Sequence, residues 1–267
     1  MKILDWRARE ISWGLACAGL SLLAWLGPAL PPHAFGGHDF ADQRTWLGLP
    51  HAADVLSNLP FALFGLWGLR RLALRQRLGP ALAMPVFWAG ALFFSGLLLT
   101  ALGSAGYHRQ PDDAGLAWDR AGMALAFAGL LGLAACERVS LRAGAPTLAW
   151  SLAVGLLAVA TWRLRDDLWP WAVVQGGGML AVLLLAVWRP VAGAQGIRLG
   201  AVVAVYALAK LLELWDQPVF ALSGGAVSGH SLKHLVASLA AWPVLAALAP
   251  PPRDDRTDAG AHKTKKA

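Results

Sequence analysis

Three of the chain's seven histidines lie within long apolar stretches, where an ionisable side chain is costly and indicates a function. His230 and His234 are four residues apart, so on a helix they project from the same face. Two imidazoles so placed can bind one metal ion, and His108 offers a third. Three neutral histidines with an open fourth position are a known form of catalytic zinc site. A heme iron with histidine axial ligands is the other metal centre that the pattern allows.

Two more polar residues accompany these histidines. Ser104 precedes His108 by four residues and shares its helix face, and Asp119 follows His108 by eleven residues in the next apolar stretch. Simpler interpretations stay open for each of them. A lone pair of histidines at this spacing arises by chance and can hydrogen-bond to neighbouring helices. Asp119 can pair with Arg109 or Arg120, and Ser104 can be a small residue at a helix contact.

The composition sets the class of protein. Hydrophobic residues make up 57% of the 267 residues and charged residues 15%, with a mean hydropathy of +0.51. Soluble domains usually contain about 45–50% apolar and about 25% charged residues. This balance excludes a disordered protein and argues against a soluble enzyme, because there is too little charge to cover a surface in water. Cys17 and Cys136 are isolated, so neither a disulfide framework nor cysteine-ligated zinc is expected.

Eight apolar runs have the length of a membrane span, the fifth only marginally. They are residues 11–31, 52–74, 82–108, 115–136, 147–162, 168–188, 196–214 and 228–248. Backbone groups in lipid must bond within their own segment, so we expect helices and predict an all-α integral membrane protein with eight spans. The first run is predicted to be a retained helix rather than a cleaved signal peptide. The predicted regions are 1–51, an extra helix with an outer loop; 52–249, seven membrane helices; and 250–267, a polar cytoplasmic tail.

The positions of the basic residues predict the orientation. If the spans alternate in direction, 16 of the 23 lysines and arginines fall on one side and four on the other. Because cytoplasmic loops are enriched in these residues, both termini are predicted to be cytoplasmic. His108, His230, His234, Ser104 and Asp119 then share one depth near the outer leaflet. The net charge of +7 is explained by these loops, so no nucleic-acid partner is expected.

At these residues the chain resembles the alkaline ceramidases, which belong to a superfamily of seven-span membrane hydrolases that includes the adiponectin receptors. The family's Gly-Ser-x-x-aromatic-His matches residues 103–108, and its next aspartate matches Asp119. Its final His-x-x-x-His matches residues 230–234, and a Ser-Asn pair in its first span matches residues 57–58. The resemblance covers about residues 52–248.

The resemblance implies a seven-helix bundle of alkaline ceramidase type, preceded here by one extra helix. It implies Zn²⁺ as the cofactor, with His108, His230 and His234 as ligands. Asp119 is then the general acid–base, and Ser104 donates a hydrogen bond to the developing oxyanion. The implied reaction is hydrolysis of the N-acyl bond of ceramide or a related N-acyl lipid, which yields a fatty acid and a free amine such as a sphingoid base. The extra helix and short loops are typical of a bacterial inner-membrane protein, with the active site toward the periplasmic leaflet.

Other residues near the predicted site carry weaker signals. Ser57 and Asp54 open the second run on the same side as the histidines, and a zinc-bound histidine usually donates its other N–H to a partner, so we expect them to support a ligand. Arg120 stands where the family has an acidic residue. Calcium is not predicted, because the acidic cluster that binds it in eukaryotic members is spaced differently here.

Two other functions remain open at this point, namely a non-catalytic receptor or sensor on the same zinc scaffold and a heme-binding electron carrier. Lys210 and Glu213, three residues apart, are predicted to form a structural pair on one helix face. Lys233 is predicted to extend toward the lipid headgroups.

Overall fold

The computed structural model describes residues 6–34 and 37–248, and in these ranges the chain is helical without strands. The predicted polar tail, residues 250–267, lies outside the described residues. The helices are α1 (Trp6–Leu26), α2 (Ala52–Leu78), α3 (Met84–Arg109), α4 (Asp113–Arg138), α5 (Leu141–Arg165), α6 (Trp169–Ala186), α7 (Leu199–Leu214), α8 (Asp216–Leu222) and α9 (Gly229–Leu248).

Six of these helices, α2 to α6 and α9, are long and apolar enough to cross a membrane. This confirms the prediction of an all-helical chain of membrane-protein character. The marginal fifth run is part of a helix of 25 residues, α5. Helices α1 and α7 occupy the remaining two predicted runs, but α7 has 16 residues and α1 begins with the charged Arg7, Arg9 and Glu10. The count of eight spans therefore stays a prediction.

Successive long helices run in opposite directions, as contacts at the two ends of the bundle show. At the end where α3 finishes and α9 begins, which we call the histidine end, the Leu30 N–H donates to Asp167 at 3.0 Å. At the far end, the Arg9 side chain donates to the Arg138 carbonyl at 3.1 Å, and Arg75 donates to the Ala247 carbonyl at 3.1 Å. The first and last described helices thus both reach the far end.

A buried carboxylate organises the far end. Glu137, 1% exposed, lies one residue before the end of α4. Its oxygens accept hydrogen bonds from the backbone N–H groups of Gln195, Gly196 and Ile197 at 2.5, 3.0 and 3.1 Å. A buried charge needs such partners to offset its desolvation, so Glu137 fixes the loop that leads into α7.

Helix α2 is interrupted at its first turns. Pro60 has no backbone N–H to continue the helical ladder. The Asn58 N–H bonds instead to the Val55 carbonyl at 3.3 Å, and the Asp54 carbonyl accepts from the Ser57 hydroxyl at 2.9 Å and the Asn58 side chain at 2.8 Å. This break turns the Ser57 side chain inward.

Glycines allow α3 and α4 to meet backbone to backbone. A methyl group added at Gly96 would lie 2.3 Å from the Ala126 nitrogen. Methyl groups added at Gly103, Gly122 or Gly129 would meet backbone atoms of the facing helix at 2.3–2.7 Å. Small residues at helix contacts are the main device by which membrane helices approach closely. The contact fixes the register that sets the end of α3 beside the start of α4.

We expect Gly96→Ala to lower the free energy of unfolding by roughly 1–3 kcal/mol, because the added methyl forces two backbones apart. Thermal unfolding of the purified protein in detergent measures the effect. Gly106→Ala is the matched control, since Gly106 lies on the same helix with open space beside it. A control that destabilised as strongly as Gly96→Ala would contradict the importance of this contact.

Candidate metal centre

The three predicted metal ligands come together at the histidine end. The ring centroid of His108 lies 4.8 Å from that of His230 and 5.0 Å from that of His234, and the last two are 4.9 Å apart. One ligand nitrogen from each ring lies within 4.8 Å of the others, and all three residues are buried. The end of α3 and the first turns of α9 thus direct three imidazoles at one point, a group that can hold a metal ion.

The spacing of the ring nitrogens suits zinc. Nε2 of His108 lies 3.3 Å from Nε2 of His230. Two imidazole nitrogens that each lie about 2.0–2.1 Å from one tetrahedral zinc ion are about 3.3–3.4 Å apart. Nδ1 of His108 is buried and has no hydrogen-bond partner among the described residues. The Nε2 atoms of His108 and His230 are therefore spaced as two ligands of one cation, while the second nitrogen of the His108 ring has no described partner.

The Ser57 hydroxyl selects the tautomer of His234. It donates its hydrogen to the Asp54 carbonyl at 2.9 Å, so it accepts at its 2.8 Å contact with Nδ1 of His234. Nδ1 then carries the proton, and Nε2 keeps a free lone pair for a metal. This is the partner that zinc-binding histidines usually have. The break in α2 is the local feature that places it.

Asp54 acts on the metal centre indirectly, through the start of α9. Its Oδ1 accepts from the Ser231 hydroxyl at 2.6 Å and the Ser228 hydroxyl at 3.3 Å. Ser228 caps α9 by accepting from the Ser231 N–H at 2.9 Å. The side chain of Asp54 thus anchors the turn that carries His230 rather than an imidazole itself.

A loop between α1 and α2 covers the imidazoles. The Phe40 ring, 4% exposed, lies 4.6 Å from the His108 ring and 4.7 Å from the His230 ring, centroid to centroid. Asp216 holds this loop against α9, because its two oxygens accept from the Ala41 N–H at 2.9 Å and the His230 N–H at 2.8 Å. Phe40 therefore shields two of the three rings.

An ion pair closes the same loop on itself. The Arg44 side chain donates to both oxygens of Asp42, at 2.8 and 2.5 Å, and to the Ala226 carbonyl at 3.0 Å. The hydrogen bond from Arg44 lowers the pKa of Asp42 below its ordinary value. Asp42 stays ionised at neutral pH and holds Arg44, and Arg44 ties the loop to the segment before α9.

Ser104 and Asp119 line the cavity into which the imidazoles project. The cavity has a volume of about 690 Å³. Ser104 is buried and its hydroxyl interacts with the Asp119 carboxylate. Away from this polar end the walls are mostly apolar side chains, among them Phe93, Leu97, Phe127, Leu130 and Met179. The site is thus one polar end of a largely apolar chamber.

Glu213 pairs with two lysines at the cavity wall. Its Oε1 accepts from Lys233 at 2.6 Å, and its Oε2 accepts from Lys210. The predicted pairing of Lys210 with Glu213 is confirmed. The prediction that Lys233 extends toward headgroups is wrong, because a carboxylate on the neighbouring helix α7 offers a charged partner inside the bundle. No ion pair joins Asp119 to Arg109 or Arg120 within residues 6–34 and 37–248.

Sequence reasoning missed a second cluster beside the first. Nε2 of His38 lies 3.2 Å and Nε2 of His33 lies 3.6 Å from Oδ1 of Asp113, and Nδ1 of His38 lies 2.9 Å from the Tyr107 hydroxyl. This partly exposed group can also hold a metal ion. His33 and His38 lie in a loop, where no helical period relates their spacing to a direction. Phe40 was missed for the same reason.

No protein-family model matches the chain, and no curated protein matches it. The site is therefore interpreted from its own geometry.

We expect His108→Ala, His230→Ala and His234→Ala each to reduce bound zinc from about one ion per chain to less than about one tenth, because two imidazoles leave the coordination incomplete. Elemental analysis of the purified variants measures this content. His262→Ala, a histidine of the predicted tail, is the matched control. Full zinc in any of the three variants would argue against the shared site.

We expect Ser57→Ala to weaken zinc affinity by about 10–100-fold, because His234 loses the acceptor that fixes its tautomer. Competition with chelators of graded affinity measures the change. Ser238→Ala is the control, since Ser238 is buried on α9 and donates only to the Leu235 carbonyl of its own helix. Equal affinities in the two variants would show that the Ser57 hydrogen bond does not tune the metal.

Proposed function

We propose that the protein is a zinc-dependent intramembrane hydrolase that cleaves the amide bond of ceramide or a related N-acyl lipid. The observation that carries the proposal is the convergence of His108, His230 and His234 at the polar end of an apolar cavity, with Asp119 and Ser104 beside them. Zinc bound to three imidazoles supplies a Lewis acid and a hydroxide nucleophile at neutral pH. The products are a fatty acid and a free amine, such as a sphingoid base.

Asp119 serves as the general acid–base in this proposal. Its carboxylate takes the proton from the attacking water and delivers it to the leaving amine, whose nitrogen must be protonated before the C–N bond breaks. Ser104 first donates its one hydroxyl hydrogen to the Asp119 carboxylate. Once Asp119 holds the proton taken from water it can donate to the Ser104 oxygen, and the Ser104 hydrogen then turns to the carbonyl oxygen as negative charge develops there. Phe40 excludes bulk water from one side of the reacting atoms, which strengthens both interactions.

The shape and polarity of the cavity support a lipid substrate. A volume of about 690 Å³ is within the usual range for small-molecule sites, about 300–1,000 Å³. The apolar part of its walls suits an acyl chain, and the polar end at the imidazoles suits the amide. Five of the six apolar helices, α2, α3, α4, α6 and α9, line the cavity together with α7, which supports access from the bilayer.

We propose a topology of eight spans, with a seven-helix domain of alkaline ceramidase type at 52–249 after the extra helix of region 1–51. The alternating helix directions and the bias of basic residues support two cytoplasmic termini and a site facing the periplasmic leaflet of a bacterial inner membrane. The motif spacing at residues 103–108, 119 and 230–234 supports the family resemblance.

The alternatives fit these residues less well. A receptor that uses zinc only structurally has no need of Asp119 and Ser104 in the cavity that the three imidazoles line. A heme requires a porphyrin plane between or beside its axial ligands, and the 3.3 Å between Nε2 of His108 and Nε2 of His230 is too short for a ring to lie between them. The geometry favours a single ion bound by three nitrogens.

We expect Asp119→Asn to lower kcat by about 10²–10⁴-fold with zinc retained, because the amide can neither accept nor deliver the proton. Ser104→Ala is expected to lower kcat by about 10²–10³-fold through loss of the oxyanion hydrogen bond. Mass spectrometry of fatty acid released from a mixture of ceramides and other N-acyl lipids measures both.

Asp166→Asn is the matched control for Asp119→Asn, since Asp166 is an exposed carboxylate in the loop after α5. No fatty acid above the level of Asp119→Asn, across acyl lengths, would contradict the hydrolase and favour the receptor. A Soret band in zinc-free protein would favour the heme carrier.

A further inference from the structure

Arg120 is a cation of the cavity wall that forms no ion pair with a carboxylate of residues 6–34 and 37–248. Its guanidinium carbon lies 4.0 Å from the centroid of the Trp162 ring and 5.9 Å from that of the Trp171 ring. Nη1 is buried and has no hydrogen-bond partner among residues 6–34 and 37–248. The side chain lines the same cavity as the imidazoles. Its neighbours in the electrostatic field include Tyr107 and Asp119, which adjoin the metal centre.

The other charged groups of the cavity do not satisfy Arg120. The Glu213 carboxylate already accepts hydrogen bonds from two cations, Lys210 and Lys233. Both oxygens of Asp216 accept backbone N–H groups. Asp119 acts on Arg120 through the electrostatic field but forms no ion pair in the described ranges. No carboxylate of the described residues therefore lies in ion-pair contact with Arg120.

The surroundings of Arg120 define what it can bind. A buried N–H without an acceptor costs about 1–3 kcal/mol, and more when the group is charged. The indole of Trp162 covers a face of the guanidinium, which leaves the edge, where the N–H groups point, for a ligand. The planar fork of an arginine matches the two oxygens of a carboxylate or phosphate better than a single hydroxyl.

We propose that the cavity selects N-acyl lipids whose amine portion carries an anionic group, a carboxylate or a phosphate, and that Arg120 binds this group while the amide lies at the imidazoles. This inference rests on the proposed function for the identity of the reacting bond. Neutral N-acyl lipids leave the guanidinium unpaired and are therefore poorer substrates. Arg120 is a specificity residue of the site, and its contact with the ligand is independent of the metal.

The test compares substrates that share one acyl chain and differ on the amine side. They are an N-acylglycine with a carboxylate, an N-acyl phosphatidylethanolamine with a phosphate, and a neutral N-acylethanolamine, with ceramide as a second neutral lipid. We expect kcat/KM at least tenfold higher for one of the anionic lipids than for the neutral ones. The preferred anionic lipid identifies the source of the charge. Equal kcat/KM for all four would overturn the inference while leaving the hydrolase in place.

Variants separate binding by Arg120 from a structural role. Arg120→Gln is expected to reduce kcat/KM for the anionic lipid at least tenfold more than for the neutral lipid, and Arg120→Lys to restore part of the difference. If Arg120 had only a structural role, Arg120→Gln would lower kcat/KM for both lipids by the same factor, and that result would contradict the proposal. Arg163→Gln is the matched control, because Arg163 is an exposed arginine at the end of α5.

A binding measurement keeps the inference distinct from catalysis. If wild-type protein releases no fatty acid from any lipid, the proposed hydrolase fails. The unfolding temperature is then measured with N-acylglycine and, separately, with N-acylethanolamine. The difference between the two shifts reports the anion preference directly. A larger shift with the anionic lipid that disappears in Arg120→Gln supports the site, and equal shifts in wild-type protein would overturn it.

Discussion

The close approach of α3 and α4 is the contact on which the polar end of the cavity depends. Association of helices in lipid gains little from the hydrophobic effect, so packing between backbones must supply it. Glycine at Gly96, Gly103, Gly122 and Gly129 removes the side chains that would hold the two helices apart. The end of α3 then lies against the first turns of α4, where Ser104 meets Asp119. Two polar side chains on separate helices are thus brought together by residues that have no side chain.

The metal centre was predictable because the chain is so apolar. Few ionisable residues compete inside the helices, and the helical period assigns His230 and His234 to one face without knowledge of the fold. The alternating directions of consecutive helices then bring His108 to the same end. Ser57 was also predictable, because a buried imidazole that binds a metal needs an acceptor for its other nitrogen. Local periodicity and simple chemistry together are sufficient for these residues.

The residues that sequence reasoning missed are those placed by tertiary contacts. Phe40 covers two imidazoles from a loop whose path has no period, and Asp216 holds that loop through backbone N–H groups that carry no signal of residue type. Lys233 was predicted as a lone cation because its partner, Glu213, lies 20 residues away on another helix. Arg120 illustrates the same limit: the sequence shows a charge inside a span, but only packing shows that two indoles, rather than a carboxylate, adjoin it.

The two ends of the described chain have a practical value. Trp6 lies against Arg142, and Ala247 accepts from Arg75, so both ends lie at the far end of the bundle. Helix α3, with 26 residues, separates that end from the imidazoles by about 39 Å. A reporter group attached beside Trp6 or Leu248 is therefore kept about the length of α3 away from the imidazoles. Attachment to a sensor surface at either of these two positions orients the protein in the same way, with the histidine end directed away from the surface.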